Sequence, residues 1–294
     1  MTAGKADPHR EARRRRRTAV VVIVLLAATL AIATLRQQAP SLGDSRWLAF
    51  ERAWRGVVYR AGFLLPQTPD LDDVEARLEA RGFVSGAPVF IRIFKREFEL
   101  ELWLARGDRF ELFATYPICR FSGELGPKLK QGDKQAPEGI YTVARQQLNP
   151  ASRWHRSFNL GFPNILDQHH GRTGTFLMVH GGCSSVGCYA MTNSVVDEVW
   201  HHVTRALGKG QRRFQVQVFP FRMTSEALAA REGHPWHAFW SDLKPAYDLF
   251  EETRVPPRAA VCDGRYTFAA GDPGSDGSRP LTKGCLSPPP VVTN

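Results

Sequence analysis

The pattern of apolar and polar residues predicts β-strands through the middle of the chain. Residues 89–94 form an apolar-rich run that is typical of a buried strand. In residues 97–104 leucines alternate with glutamates, and this period of two predicts a half-buried strand whose glutamate face is solvated. Gly107 and Asp108 then turn the chain into its predicted hairpin partner. Further strands are predicted at residues 110–116, 140–144, 176–179 and 215–219.

Helices are predicted where apolar residues recur at intervals of three and four. The aromatic face of the helix predicted at residues 47–58 is expected to pack on the rest of the protein, with the membrane surface as the alternative. Thr192 or Ser194 would cap the third, and Pro245 is expected to bend or interrupt the fourth because it lacks an N–H donor. Strands flanked by helices predict a mostly β, α+β fold. The four helical segments are residues 47–58, 70–81, 195–207 and 236–250.

Two long connections and a terminal segment lack these periodicities. Residues 126–139 are dense in Gly, Pro and Lys, and residues 149–174 form a second connection whose length is uncommon unless it is functional. Residues 258–294 are rich in Pro and Gly, and they are expected to have no core of their own. A disulfide between Cys262 and Cys285 would staple this segment.

The N-terminal segment predicts export. Residues 13–17 are five arginines, and residues 18–35 carry no charge, which is near the lower limit for crossing a bilayer. The arginines are expected to stay in the cytoplasm, which places the chain after Arg36 in the periplasm, tethered to the inner membrane. A cleaved signal is the alternative, because Ala31-Ile32-Ala33 has the form that a signal peptidase reads.

The net charge of +10 does not indicate a nucleic-acid partner. Residues 1–36 contain eight basic and two acidic residues, so only +4 falls on the rest of the chain. Topology and anionic lipid explain the arginine run, and no motif that recognises bases accompanies it.

The segment from residue 176 to residue 193, FLMVHGGCSSVGCYAMTN, combines the residue types of a nucleophilic site. A short apolar strand delivers His180 into a loop rich in Gly and Ser, and the loop returns to Cys188. A histidine can take the proton of a thiol, and Gly187 suits a turn that leaves N–H groups free for an oxyanion. If the following helix begins beside Cys188, its N-terminus would lower the pKa of the thiol.

Two other interpretations of the same residues stay open. His180, Cys183 and Cys188 could be zinc ligands, although the spacing lacks a CxxC pair and a fourth ligand nearby. Cys188 could instead be an inert buried thiol.

Several separated motifs resemble one family. The run His180-Gly181 followed by Ser185-x-Gly187-Cys188 resembles the signature of the L,D-transpeptidases with the YkuD-type catalytic domain. The form HGGCSSVGCYAM looks most like their YafK-type murein branch, and the resemblance covers residues 88–257. Matching segments also lie at residues 119–141, 159–167 and 219–224.

This resemblance implies a β-sandwich catalytic domain in which Cys188 is the nucleophile and His180 the general base and acid. Gly181, Ser185 and Gly187 would shape the loop and the oxyanion hole, and residues 126–139 would border the cleft. No cofactor and no metal are implied. The remaining candidates, for substrate binding, are Arg172, Asn164 and Tyr189.

The chain departs from the family pattern at two positions of the signature. Val186 stands where many members have His, and Ala190 where they have Arg. The second change removes a partner for a carboxylate, so Arg172 is the candidate to replace it, with a surface charge as the alternative.

The sequence therefore predicts an exported cysteine acyltransferase that acts on peptidoglycan stem peptides. A murein amidase or hydrolase, which releases proteins or peptides with the same site, is the first alternative. A catalytically silent, membrane-anchored wall-binding protein is the second, and a wall-attached protein is a further expected partner. The expected divisions are a basic segment (1–17), a signal anchor (18–36), a helical spacer (37–87), the catalytic domain with its C-terminal helix (88–257) and the tail (258–294).

Overall fold

The computed structural model describes residues 43–286. The chain divides into two compact units between Trp47 and Leu48, and only residues 43–47 of the first are described. Among the described residues, no helix combines the length and the apolar character needed to cross a bilayer. The predicted signal anchor, residues 18–36, lies outside the described part of the chain.

The second unit mixes helices and strands, in agreement with the predicted α+β class. Its first helix, α1, includes the last residues of the first unit. In chain order the elements are α1 (Asp44–Arg60), α2 (Val74–Ala80), β1 (Val89–Phe94), β2 (Glu99–Arg106), β3 (Arg109–Pro117), β4 (Arg120–Phe121), β5 (Gly139–Ala144), a 3₁₀ turn (Arg145–Gln147), β6 (Leu148–Ser152), β7 (His155–Asn159), α3 (Ile165–His169), β8 (Met178–His180), β9 (Tyr189–Ala190), α4 (Asn193–Gly208), β10 (Arg213–Phe219), α5 (Ser225–Ala229), α6 (His237–Thr253), β11 (Arg258–Cys262), β12 (Arg265–Ala269) and β13 (Thr282–Lys283).

The first five-stranded sheet has the order β3-β2-β1-β10-β5. Only β1 and β10 run parallel, and the other neighbours are antiparallel. All six side chains of β1 are buried, including that of Arg92, and the apolar-rich run predicts this for a central strand.

The prediction of a solvated glutamate face on β2 is wrong. Glu101 is 4% exposed and Trp103 is 7% exposed, so both faces of the strand are covered. Arg222, just beyond β10, donates to Glu101 at 2.7 Å, and the Trp103 ring packs edge-on against Phe250 of α6 at 4.9 Å. The alternation of leucine and glutamate therefore belongs to a strand that is buried on both faces, because arginine side chains pair with the glutamates on the second face and make their burial possible.

The second five-stranded sheet has the order β4-β9-β8-β7-β6 and carries the candidate site. Its strands β6 and β7 form an antiparallel hairpin inside the segment that was predicted to be a long connection. The prediction failed because residues 148–159 show no apolar alternation, and the hairpin is stabilised by pairing with β8 on one side.

The C-terminal region is more ordered than its composition predicts. Strands β12-β11-β13 form a third sheet, and the Cys262–Cys285 disulfide closes it. Tyr266 and Phe268 are buried, so the expectation of a tail without a core is wrong for residues 258–283. Helix α6 also runs through Pro245 without interruption, because its buried apolar face supplies more stability than one lost N–H bond removes.

The part of α1 after Leu48 packs against other residues of the second unit. Val58 joins Leu65 and Cys119 in a small buried cluster, with Trp54 against it. Arg55 is fully buried, donates to the carbonyl of Ile118 at 3.2 Å and pairs with Glu51. The expected packing of this helix on the domain is confirmed for these residues.

Candidate active site

Strand pairing brings His180 and Cys188 to one face of the second sheet. Strands β8 and β9 run parallel, with Val179 opposite Tyr189 and His180 opposite Ala190. The same register sets Cys188, just before β9, opposite Met178, two positions from His180, and because side chains alternate along a strand Cys188 projects to the same side as His180. The seven residues between His180 and Cys188 in sequence thus connect two neighbouring strand ends.

Both side chains line a cleft of about 350 Å³. Cys188 is half-buried, and within the described residues it is the one cysteine outside a disulfide. The Met178 N–H donates to its Sγ at 3.4 Å, and the thiol points toward the carbonyl oxygen of Phe176 at 3.5 Å. These contacts hold the sulfur at the edge of β8.

The geometry of His180 defines its tautomer. Its Nδ1 lies 2.5 Å from the carbonyl oxygen of Gly181, and a carbonyl only accepts, so Nδ1 is the donor. In the neutral ring Nε2 is then the basic nitrogen. Burial lowers the pKa of His180 and keeps it neutral, since a charged ring would lose hydration. The Trp154 ring lies 6.0 Å from the imidazole, centroid to centroid.

The thiol is not pre-ionised. Burial raises the pKa of Cys188, and the hydrogen bond from Met178 and the positive charge of Lys128 oppose this only in part. The N-terminus of helix α4 was expected to lower the pKa of Cys188, but the contacts at the start of this helix do not involve the thiol. Asn193, the first residue of α4, accepts a hydrogen bond from the Gly182 N–H at 2.9 Å, so the start of the helix contacts the histidine side of the loop.

Ser185 fixes the turn before the cysteine. Its hydroxyl donates to the Cys188 carbonyl at 2.7 Å and accepts from the Gly187 N–H at 3.2 Å. Gly187 has a φ of 120°, a conformation that L-residues rarely adopt. The Gly187 N–H is therefore already used within the turn, which leaves the Cys188 N–H as the nearer backbone candidate for an oxyanion.

A disulfide anchors the loop on the histidine side. Cys183 is bonded to Cys119, with the two Cα atoms 5.2 Å apart. Cys183 therefore offers no thiolate, and the interpretation of His180, Cys183 and Cys188 as zinc ligands is wrong. With the Cys262–Cys285 bond, which was anticipated from the sequence, this disulfide accounts for the four cysteines other than Cys188.

Comparison with known proteins gives this arrangement a family. No protein-family model matches the chain. The protein named "Putative L,D-transpeptidase YafK" in Escherichia coli K12 is 48% identical over 184 residues, which are 63% of this chain and 75% of the relative. The protein of that name in Escherichia coli O157:H7 matches equally. The chain belongs to the L,D-transpeptidase family.

Solved structures give more distant likenesses. The helical cell shape determining protein Pgp2 of Campylobacter jejuni is 18% identical, with a TM-score of 0.38 over 60% of this chain and 66% of that chain. Bd1075 of Bdellovibrio bacteriovorus is 17% identical, with a TM-score of 0.33 over 55% of this chain and 60% of that chain.

The two positions where the chain departs from the family signature differ in environment. Val186 is 74% exposed at the rim of the cleft. Ala190 is fully buried between His180 and Arg120 in the sheet. The loss of arginine at position 190 is thus the loss of a group from inside the sheet.

The three predicted substrate-binding residues lie inside the protein rather than in the cleft wall. Arg172 is 8% exposed and donates to Asp167 at 2.8 Å, so it is neither a surface charge nor a cleft arginine. Asn164 caps α3 and donates to the Ile140 carbonyl at 2.9 Å. Tyr189 is fully buried, and its hydroxyl donates to the Pro137 carbonyl at 2.6 Å. Each of them positions a neighbouring segment.

Tyr189 also connects the cysteine strand to residues 126–139, which were expected to border the cleft. Lys128 in this segment acts on the pKa of Cys188, and its ammonium pairs with Asp133. The segment is held from beneath by Lys95 and Glu138, a fully buried ion pair at 2.9 Å.

Sequence reasoning missed the wall formed by the β6–β7 hairpin. Arg153 and Trp154 at its turn line the cleft together with Cys188 and His180. Trp154 is 41% exposed, and its ring also lies over Gly182. An exposed tryptophan beside an arginine in a long connection was the available signal.

Proposed function

We propose that this chain is a cysteine acyltransferase that acts on peptidoglycan stem peptides through an acyl-enzyme on Cys188. Family membership supports a role in modifying peptidoglycan. The observation that carries the proposal is the parallel β8–β9 register, which brings a free thiol and a neutral imidazole to the same cleft.

The proposed reaction uses the protonation states favoured by burial. Nε2 of His180 accepts the proton of the Cys188 thiol as the sulfur attacks the carbonyl carbon that precedes a D-configured residue or an attached amine. The Cys188 N–H donates to the oxyanion, while Ser185 and Gly187 hold the turn. His180 then returns the proton to the departing amine, and a thioester remains.

The acceptor decides the biological outcome. An amine that attacks the thioester gives a crosslink or an attached protein, whereas water gives hydrolysis and releases a peptide or a protein. Hydrolysis is favoured as a second candidate by one observation: Ala190 is buried and offers no polar group to an incoming acceptor. A silent wall-binding protein is the outcome to be expected if Cys188 forms no adduct.

We further propose that the catalytic part lies in the periplasm behind the N-terminal anchor, and that the two five-stranded sheets form the sandwich implied by the family. Phe158 of β7 and Phe214 of β10 meet across them at 5.5 Å, which supports this. The third sheet belongs to the same part, because the Tyr266 hydroxyl accepts hydrogen bonds from Ile140 and Asn164.

Intact-mass analysis of the chain from residue 39 onward tests the proposal. The protein is incubated with a murein tetrapeptide, with and without an added amine, and Cys188→Ala is the control. An adduct on Cys188 with an amine-dependent product establishes transpeptidation, and an adduct with only hydrolysed product establishes the hydrolase. If wild-type protein shows neither adduct nor turnover, both enzyme functions are wrong for these substrates.

A further inference from the structure

The charge of the cleft is set by one residue of the hairpin. Among the eleven residues that line it, Arg153 is the one with a formally charged side chain, because burial keeps the ring of His180 neutral. No aspartate or glutamate is among them. The cleft therefore presents one positive charge to whatever enters it.

Nearby charges of the protein do not neutralise Arg153. Arg156 and His155, on the same hairpin, both lie against Asp197, at 3.0 Å and 2.7 Å. Lys128, whose positive charge acts on the Cys188 thiol, is paired with Asp133. Within residues 43–286 no ion pair includes Arg153, so its guanidinium is available to an anion.

The ring of Trp154 packs against the Arg153 guanidinium and orients it for binding an anion. The Arg153 guanidinium carbon lies 5.4 Å from the centre of the Trp154 ring, within the range of a cation–π contact. Stacking of this kind limits the freedom of the side chain and leaves the edge of the planar group, with its N–H donors, open to a carboxylate. The same tryptophan faces His180, so the anion site and the catalytic base share one wall.

The cleft also has an apolar part. Phe176 and Val186 are 70% and 74% exposed, and both line the same cleft as the single cationic group. A small peptide residue with a methyl group and a free carboxylate fits both features, whereas a cationic side chain is repelled by Arg153 and gains nothing from the apolar residues.

We propose that Arg153 binds the free carboxylate of the D-configured residue that leaves when Cys188 is acylated, and that it is a specificity-determining residue. The inference rests on the proposed function. It places the scissile carbonyl between the Arg153 guanidinium and the Cys188 thiol.

Binding to a chain that cannot react tests the inference separately from catalysis. The probes are a murein tetrapeptide with a free terminal carboxylate and its C-terminal amide, titrated into Cys188→Ala and into Cys188→Ala/Arg153→Ala by calorimetry. We expect the acid to bind at least tenfold more tightly than the amide to the first variant. The added Arg153→Ala change should abolish that preference, because it weakens binding of the acid at least tenfold more than binding of the amide.

The matched control is Arg156→Ala, since Arg156 lies on the same hairpin but pairs with Asp197. It should keep the preference for the acid, and Arg153→Lys should keep part of it because lysine retains the charge without the planar fork. In the reactive chain, Arg153→Ala should lower kcat/KM for the acid at least tenfold more than it lowers kcat/KM for the amide.

Equal affinity for acid and amide in Cys188→Ala overturns the inference, as does an equal loss for both probes in the Arg153→Ala variant. Absence of measurable binding of either probe to Cys188→Ala also overturns it for these peptides. Failure of the proposed function is a separate result, in which wild-type protein binds the acid but forms no adduct on Cys188.

Discussion

The Cys119–Cys183 disulfide closes the larger of two loops, and its contribution to stability follows from that length. The two residues are separated by 64 positions, which gives about 4 kcal/mol from the chain entropy removed from the unfolded state. Cys262 and Cys285 are separated by 23 positions, which gives about 3 kcal/mol. We therefore expect Cys119→Ala/Cys183→Ala to be less stable than Cys262→Ala/Cys285→Ala by about 1 kcal/mol.

The two variants should differ more strongly in the reaction. Cys183 follows His180 by three positions, so the disulfide anchors the loop next to the proposed base. Without the disulfide, Cys183 is held only by the hydrogen bond from its N–H to the carbonyl of Met191, at 3.1 Å, and the loop gains freedom. We expect Cys119→Ala/Cys183→Ala to form the adduct on Cys188 between about ten and a hundred times more slowly. The C-terminal variant should react at the wild-type rate.

Urea unfolding followed by tryptophan fluorescence gives the free energies, and time-resolved intact mass gives the rates. A loss below about 1 kcal/mol in Cys119→Ala/Cys183→Ala would show that backbone hydrogen bonds alone hold the loop. An equal slowing in both variants would refute the reasoning, because the effect would then reflect general loosening.

Three further predictions concern buried ionisable groups. Since burial raises the pKa of Cys188, its alkylation by iodoacetamide should accelerate through pH 9, and a plateau below pH 7 would indicate a preformed ion pair with His180 instead. Burial lowers the pKa of His202 to about 3, so as pH falls below about 6.5 the unfolded chain binds a proton at this histidine before the native state does, and the free energy of unfolding decreases by on the order of a few kcal/mol by pH 3. In urea titrations over that pH range, the free energy of unfolding of His202→Leu should decrease less than that of the wild type. An equal decrease in both would contradict this prediction. Lys95→Met leaves Glu138 buried without its cation and should lower the free energy of unfolding, measured in urea, by about 3–5 kcal/mol. The double variant Lys95→Met/Glu138→Gln should regain much of that stability. A loss below about 1 kcal/mol in Lys95→Met would contradict the burial of both charges.

Local sequence signals predicted the core of the site because they act over short distances. Thr192 accepts from the Val195 N–H as the N-cap of α4, and β1 covers the predicted residues 89–94. His180 and Cys188 reach the same cleft because a strand, a turn and a second strand follow one another within the thirteen residues from Met178 to Ala190. Their roles stay a prediction until the adduct is measured.

The features that depend on distant partners could not be predicted from local pattern. Glu101 was expected in solvent because alternation does not show what covers the second face, and Arg222 covers it from 121 positions away. Arg172 was expected near the substrate, but its position depends on Asp167 and on the Phe239 ring, 5.2 Å from its guanidinium. The hairpin that carries Arg153 is stabilised by strand pairing rather than by its own apolar pattern.

The parallel register of β8 and β9 has a consequence for how such sites vary among proteins. The separation of His180 and Cys188 is fixed by main-chain pairing between Val179 and Tyr189, not by the number of residues that join them. Residues added to or removed from the connecting turn would therefore leave the reacting atoms at the same distance as long as the strand pairing is kept. A site of this design is defined by a register, and a search that demands a fixed interval between histidine and cysteine would miss a form with a longer or shorter turn.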